Sequence, residues 1–231
     1  MKVLDKGFVE VIDTLGNDLT VVNSARVSFG KRKTKWDKGD ERLVRYLAKH
    51  KHHSPFRHLQ IQFHIKAPEF VMRQWYKHVV GIETTSNSST KDHAWNEISG
   101  RYVEYDEFYQ PEIYRKQSDD NKQASEGQFV DDEHNLANTN WRQAHAMSLT
   151  AYKQLIEMGM AKEQARCILP LTLYTEVYWT ASFQAVMNFI ELRNEKTAQI
   201  EIQEYAKSLL DLMHESFPKT TEIWADAHNW K

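Results

Sequence analysis

A regular alternation of hydrophobic and polar residues between positions 59 and 65 is the clearest pattern in this chain. The hydrophobic positions are Leu59, Ile61, Phe63 and Ile65. A period of two is typical of a strand with one buried face, so we predict a strand here. Runs rich in β-branched and aromatic residues predict two further strands, at 7–13 and 173–182.

Hydrophobic residues at helical spacing predict helices through most of the remaining chain. The predicted helices are one capped by Asp18, one around 43–47, and others at 67–78, 133–158, 162–169, Phe183–Arg193, 198–217 and 221–230. Two polar stretches, 81–93 and 115–135, are predicted to be loops and candidate covers of an active site. Because no repeat or linker divides the sequence, we predict one domain over residues 1–231.

The composition limits the classes of partner. Lys plus Arg (30) and Asp plus Glu (32) nearly cancel over the 231 residues, which gives a formal charge of −2. Without a global basic field, a long nucleic acid is not an expected partner, so any anion binding must be local. A single cysteine excludes an internal disulfide framework and a cysteine-rich metal site. No apolar run approaches membrane-spanning length, so we expect a cytoplasmic protein.

The segment from Arg73 to Tyr102 concentrates the candidate chemistry. Arg73, Gln74, Lys77 and His78 fall at one predicted helix end, and the run NEISGRY follows after a polar interruption. Cationic side chains, a carboxylate and a Ser-Gly turn suit a small anion that carries a sugar and a flat ring. The alternative interpretation is a helix end whose charges are simply solvated.

Two arginines in the C-terminal half, Arg166 and Arg193, each end an otherwise apolar helix, and Asn188 precedes Arg193 on the same helix. They either line a pocket or extend to water. Five histidines between positions 50 and 64 fit no tight metal motif, so no metal site is predicted. Cys167 is followed by Ile168 and Leu169 on a predicted apolar helix, which predicts a buried structural thiol.

Several blocks resemble, in order, the flavin-dependent thymidylate synthases. These are YLAKHKHHSPFRH, FHIKAPEFVMRQWYKH, NEISGRY, LPLTLY and MNFIELRN, within a resemblance from residue 4 to about 210. The resemblance implies a compact α/β (α+β) fold with an antiparallel-rich sheet and several helices, assembled as a homotetramer with shared active sites. It also implies transfer of a one-carbon unit from methylenetetrahydrofolate to C5 of dUMP, giving dTMP, with FAD, NADPH and no cysteine nucleophile.

The resemblance assigns roles to individual residues. The implied nucleotide ligands are Gln74, Lys77, Glu97, Ser99, Gly100, Arg101, Arg166 and Arg193. The implied flavin contacts are Ser54, Lys77, His78, Glu97 and Asn188. Arg193 matches the catalytic arginine, which stabilises negative charge on the uracil ring as C5 becomes nucleophilic.

The sequence departs from the family mainly on the flavin side. Lys77-His78-Val79 stands where the family has Arg-His-Arg, and the polar stretch 81–93 follows. Ser182-Phe183-Gln184 replaces an Asn-x-Arg, and Thr197 replaces a histidine. Three interpretations stay open. The protein is an FAD-dependent methylase in which other residues hold FAD, a flavin-poor pyrimidine nucleotide hydroxymethylase, or a non-catalytic relative that binds nucleotide or RNA.

Overall fold

The computed structural model describes residues 1–78, 93–122 and 124–230. The first elements are β1 (Lys2–Val3), β2 (Gly7–Leu15), α1 (Asp18–Arg26), α2 (Lys38–Lys49), β3 (Gln60–Pro68), α3 (Glu69–Trp75) and β4 (His93–Glu97). They are followed by β5 (Arg115–Gln117), β6 (Ser125–Gln128), α4 (Asp131–Glu157), α5 (Lys162–Ala165), β7 (Tyr174–Ser182), α6 (Phe183–Arg193), α7 (Ile200–Ser216) and α8 (Pro218–Ala227). Short 3-10 helices span Val27–Phe29, Ser54–His58 and Arg166–Ile168.

The predicted period-two strand is the central strand of the main sheet. Within the described residues the strand order is β1-β2-β3-β7-β4, and all neighbouring strands are antiparallel. Phe63 on β3 lies opposite Trp179 on β7, and both side chains are buried. The helices cover this face, and one hydrophobic cluster runs from Val3 to Trp224. The predicted α+β fold class with an antiparallel sheet is confirmed.

A cluster of large aromatic side chains joins the sheet to two helices. Trp75 on α3 stacks on Phe189 on α6, with ring centroids 4.4 Å apart. Trp179 on β7 stacks on Trp95 on β4 at 5.1 Å, and it also meets Trp75 edge to face at 5.5 Å. Such aromatic pairs contribute beyond the area that they bury. The cluster therefore fixes where the C-terminal ends of α3 and α6 lie.

A strand begins at the end of one predicted loop, and the other predicted loop contains regular structure. Residues 93–97 form β4, because they pair with β7 over five residues. The predicted loop 115–135 contains the hairpin of β5 and β6 and the start of α4, so that prediction is wrong over most of its length. The rest of the predicted loop 81–93 lies outside the described residues.

Several helix boundaries differ from prediction, including that of α8, which was predicted at 221–230 and spans Pro218–Ala227. Asn17, not Asp18, caps α1, because its side chain accepts from the Leu19 N–H, while Asp18 accepts from Thr220 at the start of α8. The helix predicted at 67–78 is shorter, since β3 continues through Pro68. The helix predicted at 162–169 has its last turn in 3-10 form.

Candidate nucleotide site

A cavity of about 530 Å³ lies between the N-terminal half of α3, the turn after β4 and the segment that follows α5. Four predicted nucleotide ligands line it, and they are Glu97, Ser99, Arg101 and Arg166. Arg73 and Glu69 enter from α3, one helical turn apart. The lining therefore carries three arginines and two glutamates, which favours an anionic ligand.

The turn at Ser99-Gly100-Arg101 forms one wall of this cavity. The Ser99 carbonyl accepts from the N–H groups of Tyr102 and Val103, at 2.9 and 3.1 Å. Gly100 is buried, and a Cβ built on it would lie 3.1 Å from Cδ of Arg166 and would also clash with the Tyr105 ring. Glycine is thus required here because the turn, Arg166 and Tyr105 approach too closely for any side chain.

Glu97 is held at the edge of the cavity by the sheet. The Thr175 hydroxyl donates to Oε1 of Glu97 at 2.7 Å, and Thr175 itself is buried on β7. Burial raises the pKa of Glu69 across the cavity, and the neighbouring Glu97 charge raises it further. The two carboxylates are therefore close enough to influence each other.

A second cluster forms where α3 and α6 end. Nε of Arg193 donates to Nε2 of His78 at 2.7 Å, and both side chains are partly buried. Burial, and then the Arg193 charge, lowers the pKa of His78 to about 4. Nearby on α3, Gln74 donates to Oε1 of Gln199 at 2.7 Å. Lys77 is exposed, and none of Gln74, Lys77, His78 and Arg193 lines the 530 Å³ cavity.

The remaining predicted flavin contacts lie near the start and middle of α6. Asn188 is partly buried, and Gln184 stands one helical turn before it. Nε2 of Gln184 donates to Nδ1 of His53 at 2.6 Å, directly before exposed Ser54. The buried Oε1 of Gln184 has no hydrogen-bond partner in the described part of the chain. It is an acceptor that a bound hydroxyl or N–H group would satisfy.

The prediction of a buried Cys167 is wrong. The thiol is exposed, lines the 530 Å³ cavity and donates to the Glu163 carbonyl at 3.5 Å. Its apolar neighbours suggested a helix face, but α5 ends at Ala165 and the following 3-10 turn leaves residues 166–168 exposed. Cys167 is therefore beside Arg166 in the candidate site.

Two lining residues, Glu69 and Tyr105, were not predicted from sequence. The four-residue spacing of Glu69 and Arg73 places both on one face of a helix and could have indicated their shared side. Nothing in the local sequence marks Tyr105, which reaches the cavity because its hydroxyl donates to the Ile98 carbonyl at 3.2 Å.

A larger cavity of about 830 Å³ lies beside α4 and the β5–β6 hairpin. None of the predicted site residues lines it, although it shares Pro170 and Leu171 with the smaller cavity. Volume alone does not identify a site, so the charged cavity is the better candidate. In the described ranges, no group of three or more His, Cys, Asp or Glu side chains could hold a metal ion. No helix there is long and apolar enough to cross a membrane.

The antiparallel sheet and its covering helices define an α+β protein, and its arginine-lined cavity is a candidate site for a small anion. The model of the thymidylate synthase complementing protein family matches residues 10–219, and the chain belongs to this family. It is a methyltransferase of the flavin-dependent thymidylate synthase type.

Similar proteins include flavin-dependent thymidylate synthases from Thermus thermophilus and Thermosipho africanus. The first is 43% identical over 217 residues, which are 94% of this chain and 74% of that protein. The second is 41% identical over 226 residues, which are 96% of this chain and 92% of that protein.

Solved structures of PolB, a UMP/dUMP methylase from Streptomyces cacaoi, are 27% identical to this chain. The structure with 5-Br dUMP has a TM-score of 0.82 and covers 98% of this chain and 97% of that one. The structure with 5-Br UMP has a TM-score of 0.80, with coverages of 98% and 96%.

The lowered pKa of His78 predicts a pH dependence of stability. The unfolded histidine takes up a proton near its ordinary pKa of about 6.5, whereas the folded one stays neutral until about pH 4. Between these values the unfolded state binds more protons, so stability falls as the pH falls, and the contribution is complete above pH 6.5. We expect the unfolding temperature of His78→Gln to drop less between pH 7 and pH 4.5 than that of the wild type.

Above pH 6.5 the difference between the two proteins should stay constant, which serves as the internal control. Equal drops in unfolding temperature on acidification would contradict the assignment of a neutral buried His78.

Proposed function

We propose that this chain transfers the one-carbon unit of methylenetetrahydrofolate to C5 of dUMP and gives dTMP. The proposed cofactor is FAD, NADPH is the proposed source of reducing equivalents, and no cysteine acts as nucleophile. The observation that carries the proposal is the cavity in which the Ser99-Gly100-Arg101 turn meets Arg166. The names of the flavin-dependent relatives and the brominated nucleotides bound to PolB support it.

The phosphate is proposed to bind in the arginine-lined cavity. Arg101 and Arg166 are both exposed on its wall, where their guanidinium forks can donate in pairs to phosphate oxygens. Ser99 adds a hydroxyl donor from the same turn. Glu97, oriented by Thr175, is proposed to lie between the nucleotide and the flavin.

Arg193 is proposed to be the catalytic residue. A fixed positive charge beside the uracil ring stabilises the negative charge that develops as C5 becomes nucleophilic. A preorganised donor of this kind lowers a barrier by about 3–4 kcal/mol. Within the described ranges no carboxylate forms an ion pair with Arg193 within 4.0 Å, so no described group neutralises its charge.

The residues present are compatible with FAD. Ser54, Asn188 and His78, with Lys77 and Glu97, are proposed to hold it, and the unpartnered Oε1 of Gln184 offers an acceptor beside Asn188. Gln184 thus supplies a polar contact although it replaces the family's arginine. When bound and reduced by NADPH, the flavin would supply the hydride that reduces the transferred carbon to a methyl group.

The arrangement also supports a shared active site. The phosphate cavity holds Ser99, Arg101 and Arg166, but the cluster of Gln74, Lys77, His78 and Arg193 does not line it. The resemblance implies that the nucleotide contacts both sets in a site built from more than one copy of the chain. We therefore propose a homotetramer in which one copy provides the phosphate cavity and another provides Arg193.

The colour of the protein and the mass of the product separate this proposal from the hydroxymethylase and the non-catalytic alternatives. The purified protein is expected to be yellow, with flavin absorbance, and to convert dUMP to a product of the mass of dTMP when methylenetetrahydrofolate and NADPH are supplied. A colourless protein that FAD cannot saturate, together with a hydroxymethyl product, would replace the proposal by a hydroxymethylase. A protein that binds dUMP and forms no product would favour the non-catalytic alternative.

Arg101→Ala tests the phosphate cavity. Because hydrogen bonds to charged groups contribute about 1.5–3 kcal/mol, we expect the dissociation constant of dUMP to rise about tenfold or more in calorimetric titration. Arg45→Ala is the matched control, since Arg45 is partly exposed, pairs with Asp226 and lies outside the cavity. An unchanged affinity in Arg101→Ala would contradict the phosphate role.

Cys167→Ser tests whether the reaction proceeds without a cysteine nucleophile. This test is necessary because the thiol lines the cavity. Serine keeps the size and the hydrogen bond to Glu163, so turnover and dUMP affinity are expected to stay at wild-type values. Complete loss of turnover with retained dUMP binding would show that the thiol takes part in the chemistry.

A further inference from the structure

The hydrogen bond between Arg193 and His78 has a defined direction. Nε of arginine always carries a proton, so His78 Nε2, 2.7 Å away, must be the acceptor. The imidazole is then neutral and carries its proton on Nδ1. The lowered pKa of His78 agrees with this neutral form.

Both partners of this bond are fixed by the same aromatic stack. His78 follows Trp75 by three residues, and the backbone N–H of His78 donates to the Trp75 carbonyl at 2.9 Å. Arg193 follows Phe189 by one helical turn, and Phe189 stacks on Trp75. Phe189 also meets the His78 ring edge to face, with centroids 5.0 Å apart. The acceptor is therefore held at a set place relative to the guanidinium.

A neutral acceptor has a particular electrostatic consequence. A carboxylate at the place of His78 would orient Arg193 but would also cancel its charge. The imidazole engages only Nε, which leaves both terminal amino groups of the planar guanidinium for other contacts. Nδ1–H of His78 stays available to donate to a further group, so the bond to Arg193 is compatible with the proposed flavin contact.

We propose that His78 is a positioning residue for Arg193: its Nε2 accepts the Nε–H and aims the guanidinium, which pairs with no described carboxylate, at the ring of the bound pyrimidine nucleotide. This inference rests on the proposed function, because it assigns to Arg193 the role of stabilising negative charge on that ring. His78 touches Arg193 and acts on the ring through it.

The test uses 5-fluoro-dUMP bound to the purified holoprotein. Fluorine makes N3 of the ring more acidic than in dUMP, and fluorine NMR follows loss of the N3 proton without interference from flavin absorbance. A positioned positive charge favours the ring anion, so the bound probe should ionise at a lower pH than the free probe. This readout needs neither folate nor turnover.

Removal of the acceptor should reverse that shift. We expect His78→Leu to lower the acid ionisation constant of the bound probe about tenfold, so that its pKa rises by about one unit. The kcat for dTMP formation should fall about tenfold to a hundredfold, as when the outer partner of an active-site ligand is lost. The dissociation constant of dUMP should stay near the wild-type value, because the phosphate is held elsewhere.

The conservative variant and a double variant make the test specific. His78→Gln supplies an amide oxygen as acceptor and should restore most of the shift and of kcat. In Arg193→Ala the shift should vanish, and adding His78→Leu should change nothing more, because residues that act as a unit are not additive. His64→Gln, a histidine that pairs with Glu176 on the sheet, is the matched control and should behave as the wild type.

Should His78→Leu fail to fold, His78→Phe keeps a ring against Phe189, has no acceptor and carries the same expectation. If the wild type makes dTMP and the folded variant ionises the probe at the same pH as the wild type, the positioning role is overturned and the proposed function stays intact. A wild type that shifts the probe but makes no dTMP would overturn the proposed function alone. A wild type that does not bind the probe would overturn this inference.

Discussion

The aromatic stack of Trp75, Phe189, Trp179 and Trp95 is the interaction on which both functional clusters depend. It joins α3, α6, β7 and β4 through rings that pack both face to face and edge to face. Removing a buried aromatic side chain of this kind typically costs about 3–5 kcal/mol. The stack also sets geometry, because His78 and Arg193 follow two of its members closely along the chain. The proposed catalytic charge of Arg193 and the hydrophobic core are thus parts of one packed unit.

Much of the fold follows from local patterns. The alternation at 59–65 predicts β3, the β-branched and aromatic run at 173–182 predicts β7, and apolar residues at helical spacing predict α6. β4 was missed because its segment, His93–Glu97, is short and polar and becomes a strand only through pairing with β7. The hairpin at 115–128 was missed for a similar reason, since none of the residues of β6 is buried. Pairing with a distant strand leaves little signal in a short polar segment.

The site shows the same division between local and tertiary information. Ser99, Gly100 and Arg101 belong to one turn, so their sequence run was enough to predict that they act together. The cavity, in contrast, depends on how the segment after α5 returns to that turn. That packing places Arg166 against Gly100 and exposes Cys167, which an apolar neighbourhood had suggested was buried. Resemblance named Arg193 and His78, but only the structure shows the hydrogen bond between them.

The phosphate cavity and the cluster at Arg193 differ in whether carboxylates lie beside their arginines. In the phosphate cavity three arginines face two glutamates, so cationic groups and carboxylates share one lining and the net charge is small. At Arg193 a neutral imidazole orients the guanidinium, and its charge stays uncompensated by any described carboxylate. A cavity that holds a phosphate needs donors in fixed places, whereas a residue that stabilises a transient ring anion needs its full charge. Lys77, which stands where the family has an arginine, is exposed just beyond the end of α3, and the partly buried bond of its neighbour His78 to Arg193 does not include it.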